Sequence, residues 1–336
     1  MALLVPCTEQ WGTSTIIDSD PAASIWSDVI YRPLRPDLFL DSDPDWGLYD
    51  QGGNLIEDGA YFRLPDYALV GQSLYISPPT KATRDEAAYL YGGPVIMHYG
   101  HFLTAALPRL WQAVRDGLRG RKVLVHSHWT PEDWFTRDYV RTTLGALGLG
   151  PADFVQFTSP TRVRRVEVPR PALQEQTYAH QVFRTLCRHI GAATGTAPRS
   201  RPVYLTKTRL GQGIYQLVNE AEIEAVMAAQ GIEIVHPQEL SLVEQIALLN
   251  GAPAILGTTG SAFHTSLFAQ APVRIIGLNY SAQMNANHAL VDGLCHNQST
   301  YLYPATGMEA IPGDTVTFCY RLENAAGIAR ELLEYL

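Results

Sequence analysis

Apolar and polar positions change rhythm twice along this chain. Up to about residue 90, short alternating runs such as NLIEDGAYFRL (54–64) are interrupted by Pro, Gly and Asp. Period-two alternation between turn residues predicts short strands and no long helix. From about Tyr91, strand and helix patterns take turns. HFLTAALPRLWQAVRDGL (101–118) sets Leu103, Leu107, Leu110 and Val114 on one helical stripe, and VLVH (123–126) predicts a buried strand. A second helix is expected at 131–147, strands near 153–158 and 161–168, and a helix near 174–193. GTAPRSRP (195–202) is polar and proline-broken, as a linker would be.

Beyond residue 202 the alternation is regular. VYLTK, IEIVHP, AILG and VRIIGLN predict strands. NEAEIEAVMAAQG predicts a helix with Asn219 and Glu222 as a capping box, and SLVEQIALLNG another with Ser241 and Glu244. SAFHTSLFAQA reads as a further helix, and roughly 321–336 as an amphipathic one. At least four strands separated by helices predict a parallel sheet covered on both faces, with ligands at the carboxyl ends of its strands. The expected organisation is α/β in two domains. Residues 1–195 form the first, β-rich to residue 90 and α/β from 91. Residues 196–320 form a Rossmann-like domain, and 321–336 a closing helix.

The composition, 46% hydrophobic and 17% charged over 336 residues, is that of a globular protein with room for two domains. A net charge of -8 without a face-wide basic patch excludes a nucleic-acid partner. The one basic cluster, Arg162, Arg164 and Arg165, reads as a solvated strand edge. Four scattered cysteines form no C-x-x-C pair, which fits a reducing compartment. The apolar start MALLVPC is too short for a signal or an anchor, and no later segment approaches a membrane span. The expectation is a soluble cytoplasmic protein, with docking at the inner face of a membrane left open.

The candidate chemistry gathers at strand ends. After AILG comes a glycine turn and a helix opening with hydroxyls: Thr258, Thr259, Gly260, Ser261 and then His264. A helix start carries free N–H donors and partial positive charge, which suits a phosphate. Lys207 and Arg209 follow another strand and suit a diphosphate clamp. Glu239 follows a third and suits ribose hydroxyls. Each has a plainer reading beside it: a capped helix, solvated loop charges, a surface histidine. In the first half His98 and His101 share a helical face and suit general-base work, a metal pair being disfavoured for want of a third ligand. His126, His128 and Trp129 follow a buried strand and suit acceptor contact. Asp41, Asp43 and Asp45 have the D-x-D spacing of metal-dependent sugar transferases but lie in a Pro-rich loop and read as a turn. No G-x-G-x-x-G, Walker or G-x-S-x-G motif is present.

YLTKTR, NEAEIE, GIEIVHPQELSLVEQIALLNGAPAILGTTGSAFHTSLFA and HYGHFLTAALPRLW, in that family's order along the chain, resemble the family 61 glycosyltransferases. The G-S-A-x-H form looks like the bacterial branch. The resemblance implies a GT-B fold, two Rossmann-like domains facing across a cleft, with helix 321–336 expected to pack back onto the first domain as in other GT-B chains. It implies inverting transfer from a nucleotide sugar, usually UDP-linked, to a polysaccharide or lipid-linked glycan, with no cofactor and no obligatory metal. Carried over, the family's basic residue becomes Lys207, its Glu-Gln pair Glu244 and Gln245, its glycine turn Gly257 to Ser261, and its signature histidine His101. Glu244 is already explained as half of a capping box, which leaves Gln245 as the donor-side candidate. Thr259 and Thr265 stand where many members have His and Asn, His98 where Asn is usual, and Ala105 where an acid is frequent. The base is expected to be His101, with His98 second. Two rivals are a polysaccharide pyruvyltransferase on a similar scaffold and a non-catalytic nucleotide-sugar or glycan binder. The oligomeric state is left open.

Overall fold

The computed structural model describes residues 3–63, 68–195, 198–211, 213–312 and 316–336. Leu64 at the end of the expected strand run, and residues 196 and 197 of the expected linker, lie outside the described residues. The chain forms two compact units, residues 12–186 and residues 1–11 with 187–336.

The unit of residues 12–186 is built on a six-stranded sheet. Its order is Phe154–Val155, Lys122–His126, Thr83–Pro94, Thr161–Pro169, Ala23–Arg32, Gly47–Tyr49. The first four strands are mutually parallel; Ala23–Arg32 runs against them, and Gly47–Tyr49, antiparallel to Ala23–Arg32, returns to their direction. Thr161–Pro169 is therefore a central strand, not the edge that its arginines suggested. Its register shifts between Val163 and Arg165, and Arg164 and Arg165 still reach solvent there. The expected helix at 101–118 is helical but irregular: a wide turn at Phe102–Ala106, a tight one at Leu107–Arg109, then α-helix at Trp111–Asp116. Pro108 has no N–H to give the Thr104 carbonyl, so the regular ladder cannot run through. Leu103, Leu107 and Leu110 of the expected stripe are buried, while Val114, past the irregular turns, is exposed. Arg109 is buried too, donating to the carbonyls of Asp58, Pro169 and Ala60. Gly93, at φ +75°, makes room for it, since a Cβ there would sit 2.4 Å from the arginine side chain.

The helix expected from residue 174 begins only at Gln181. Before it, Leu173–Gln174 pairs with Tyr178–His180 in a tight hairpin, and Gln176 turns the chain with φ +54°. The expected second helix is two, Pro131–Trp134 and Asp138–Ala146.

The other unit holds the expected parallel sheet. Its parallel strands run Glu233–Val235, Val203–Leu205, Ile255–Thr258, Arg274–Leu278, Gln298–Pro304, with Leu4–Pro6 antiparallel at the far edge. Tyr204, Leu256, Ile276 and Leu302 point to one face, against Ile223, Met227, Ile328 and Leu332. Val203, Leu205, Ile255 and Ile275 point to the other, against Leu248, Leu249 and Phe263. The period-two split is what places helices on both faces. In chain order the strands lie second, first, third, fourth, fifth, so the order turns back between Val203–Leu205 and Ile255–Thr258. Ligands in such sheets bind at that switch point, outside the carboxyl ends.

Two helix ends differ from expectation. Asn219 makes no side-chain cap; its amide bonds both the N–H and the carbonyl of Leu322 instead. Ser241 and Glu244 do form the capping box. The last helix is Ala325–Leu333, because Arg321 and Leu322 finish the strand Val316–Leu322. It packs on Glu220–Ala229 in its own unit, and Glu331 accepts the N–H groups of Leu3 and Leu4.

Candidate functional site

In the unit of residues 12–186 the chemistry centres on His101. Its Nδ1 lies 3.2 Å from Glu175 Oε1, and 19% of its side chain is open to solvent. Glu175 comes from the hairpin turn after Leu173–Gln174 and is buried. It also accepts from the Tyr61 hydroxyl at 2.6 Å, lies 2.7 Å from the Thr104 hydroxyl, and has Arg63 at 3.6 Å. Burial alone would raise this carboxyl. His101, Arg63 and Tyr61 outweigh it and hold the group at about 2. A carboxylate only accepts, so Nδ1 of His101 is the donor. With its Nδ1–H directed at the carboxylate, the ring leaves Nε2 as the nitrogen that can act as a base. The wide turn that carries Thr104 is what brings the hydroxyl to Glu175. His98 stands beside, its ring 5.0 Å from that of His101. Desolvation, then His101 and Arg63, hold His98 below its ordinary range.

The three residues expected after the buried strand separate. His126 is fully buried and stacked on Tyr31 at 4.2 Å. Its Nε2 lies 2.9 Å from the Arg32 carbonyl and its Nδ1 2.9 Å from the Tyr91 hydroxyl. Both nitrogens are engaged and burial pulls the ring down to about 3, so His126 is a neutral core residue rather than an acceptor contact. His128 is tied to the Leu38 carbonyl. Trp129 keeps 46% of its surface exposed and remains the one indole at this strand end available for stacking on a sugar. Asp43 is buried, accepting from the N–H groups of Arg35 and Asp45, and organises the turn that the D-x-D spacing was read as.

In the other unit, Lys207 and the glycine turn meet at the switch point. Lys207 Nζ donates to the Thr259 carbonyl at 2.7 Å and to the Tyr280 hydroxyl at 3.1 Å. It lies 3.0 Å from where a Cβ on Gly260 would be, so the ammonium sits close against the glycine turn, and a side chain there would have to displace the lysine tip. Its counter-charge is Glu220, fully buried at the start of Glu220–Ala229. Glu220 accepts from the Tyr204 hydroxyl and from the backbone N–H of Lys207. Burial pushes the lysine down and the carboxyl up, and each opposes the shift of the other.

The segment after the turn is a 3-10 helix, Ser261–Phe268, with Gly260 at its cap position and no side-chain cap. The expected caps are used elsewhere or buried: Thr259 donates to Asn279 Oδ1 at 2.6 Å, and Thr258 is buried. The N–H groups of Ser261 and Ala262 are those that such a helix start leaves without an internal acceptor. His264 follows one 3-10 turn after Ser261 and is buried against the ring of His288.

Arg209 and Glu239, expected as separate donor contacts, face each other. One guanidinium nitrogen lies 3.1 and 3.0 Å from the two carboxylate oxygens, with both side chains exposed. Such a pair contributes roughly 0–1 kcal/mol and opens readily for a ligand. Gln245 donates to the carbonyls of Pro237 and Leu240, so its amide fixes the loop that carries Glu239. Among the described residues no group of three or more His, Cys, Asp or Glu is placed to hold a metal ion. None of the helices described is long and apolar enough to cross a membrane.

The sequence reading missed Glu175, Glu220, Tyr280 and Asn279. Glu175 carries no local signal, standing 74 positions from its histidine. Glu220 follows Asn219 directly, where the capping pattern drew attention to Glu222 instead.

A family model described as Glycosyltransferase 61 matches residues 99–276. That is more than half of the chain, and the chain belongs to that family. The matched span takes in His101, Glu175, Lys207 and the glycine turn. No curated protein matches the chain.

Proposed function

We propose that this member of the glycosyltransferase 61 family moves a sugar from a nucleoside-diphosphate donor, UDP-linked in the first instance, to a polysaccharide or lipid-linked glycan. The family makes it a glycosyltransferase, an enzyme with a sugar donor and a glycan acceptor. The rest is our reading: a GT-B-type fold, inversion at the anomeric carbon, no metal, and work in the cytoplasm, at the inner membrane face for a lipid-linked acceptor.

The observation that carries the reading is the Lys207 ammonium fastened to the Thr259 carbonyl at the switch point. It puts a cation beside the open N–H groups of the 3-10 helix, where a leaving diphosphate gathers charge. Ser261, His264 and, once its ion pair opens, Arg209 add further donors. Glu239 is then released for the ribose. His101 Nε2 takes the proton of the acceptor hydroxyl, with Glu175 holding the ring through Nδ1 and stabilising the cation that forms. The acceptor oxygen bonds to the anomeric carbon as the carbon–oxygen bond to the diphosphate breaks. His98 narrows the approach to His101, and Trp129 suits the acceptor's sugar rings.

A thermal-shift panel of UDP, GDP, dTDP, CMP and their sugars tests this. Stabilisation by a nucleoside diphosphate is expected. Stabilisation by phosphoenolpyruvate alone would favour the pyruvyl-transfer rival, and none by any nucleotide would defeat the reading.

A further inference from the structure

We infer that His288 is a contact for the donor's diphosphate, a position beyond the family-matched span. The inference rests on the donor site proposed above. His288 lies in the first turn of Ala286–Cys295, which Asn285 caps through the N–H of Asn287. Its ring packs against those of His264 at 4.8 Å, Tyr301 at 5.5 Å and Phe263 at 6.2 Å. It is 6% exposed, and its Nδ1 is buried without a hydrogen-bond partner. A buried imidazole nitrogen left unbonded is unfavourable, and such groups call for a ligand or a role.

The surroundings state which ligand. Burial first, then the charges of His264 and Lys207 from two other elements, hold His288 well below its ordinary range and so neutral. The acid on its own helix, Asp292, is already engaged with the Tyr301 hydroxyl at 2.7 Å and the Asn297 amide at 2.9 Å. Two imidazoles in ring contact and the Lys207 ammonium thus lie about the start of the 3-10 helix; Glu220 is buried as the counter-charge of Lys207, and the acid on the helix of His288 is spent on neutral partners. This is a site for a multiply charged anion, and the diphosphate of the donor is the anion this sheet position receives. A ring serving only the core would need no second imidazole and no cation beside it.

Calorimetric titration of the full chain with UDP, inorganic pyrophosphate and uridine tests this. His288→Phe keeps the ring packing and removes both nitrogens; His288→Asn restores a polar group near the place of Nδ1. UDP and pyrophosphate are expected to bind His288→Phe at least 10-fold more weakly, with uridine unchanged and most of the loss recovered in His288→Asn. Unchanged affinity of His288→Phe for UDP, or an equal loss for uridine, overturns the inference. If Lys207→Ala loses UDP while His288→Phe keeps it, this inference fails and the donor site stands. If the wild-type chain binds neither UDP nor pyrophosphate, both fail. Should His288→Phe not fold, the wild-type ring decides: its imidazole NMR signals are expected to move on adding UDP, and unmoved signals overturn the proposal.

Discussion

In the unit of residues 187–336 the candidate site lies where the strand order turns back, and Lys207, Thr259 and Gly260 stand within two residues of a strand end. In the unit of residues 12–186 the site hangs on a histidine in a broken helix and a carboxylate in a hairpin turn, brought together over 74 positions of chain. The first arrangement follows from topology, and several donors share its work. The second depends on one long-range pair, so a single change should silence it. The difference separates two kinds of failure: loss of the reaction with binding kept, and graded loss of binding.

The largest effect is expected at His101. His101→Ala should lower the transfer rate by about 10²–10⁴, the usual contribution of a general base, with nucleotide affinity kept. Glu175→Gln should lower kcat with little change in KM. If Glu175 is only structural, Glu175→Gln will lower the melting temperature and leave kcat of the folded fraction intact.

Next comes the buried pair in the other unit. Lys207→Met leaves Glu220 buried without its counter-charge, still bonded to Tyr204 and to the backbone N–H of residue 207, and should cost about 1–3 kcal/mol in a urea titration. Adding Glu220→Gln should recover most of that stability but none of the nucleotide affinity. Recovery of both would mean that Lys207 serves the fold alone.

Acid should then report on His126. His126 is held at about 3, below its ordinary 6.5, so the unfolded chain binds more protons between those values. Stability therefore falls as pH drops from about 6.5 towards 3, by up to roughly 4 kcal/mol in total. Glu175, held at about 2 from an ordinary 4.5, adds a second loss in the window below 4.5. Thermal melts of His126→Phe across pH 7 to 4 should be flatter than those of the wild type. An unchanged slope would show that His126 is not the titrating core group. The smallest effect belongs to Arg209→Gln: below about 1 kcal/mol in stability, and a few-fold in UDP affinity.

What the sequence revealed follows the same division. The parallel sheet, its two covered faces and the glycine turn were readable because regular strand–helix alternation is a local pattern, and the switch point follows from strand order. Glu220 escaped notice because a capping pattern explained its neighbours, and a buried carboxylate at a helix start looks like any other helix-start acid. Glu175 was unreadable, since only the fold of the hairpin 173–180 carries it to Thr104 and His101. His126 shows the converse: a histidine at the end of a buried strand looks available until its stacking on Tyr31 is seen. Irregularity itself had a visible cause in Pro108, which the apolar stripe of 101–118 concealed.

The central claim is that one unit binds the donor and the other removes the acceptor's proton. It is tested most directly by measuring UDP affinity by calorimetry and sugar transfer together in the wild type, His101→Ala and Lys207→Ala. The account predicts that His101→Ala binds UDP as the wild type does and transfers about 10²–10⁴-fold more slowly, while Lys207→Ala loses UDP binding. Transfer at the wild-type rate by His101→Ala, or wild-type UDP affinity in Lys207→Ala, would contradict it.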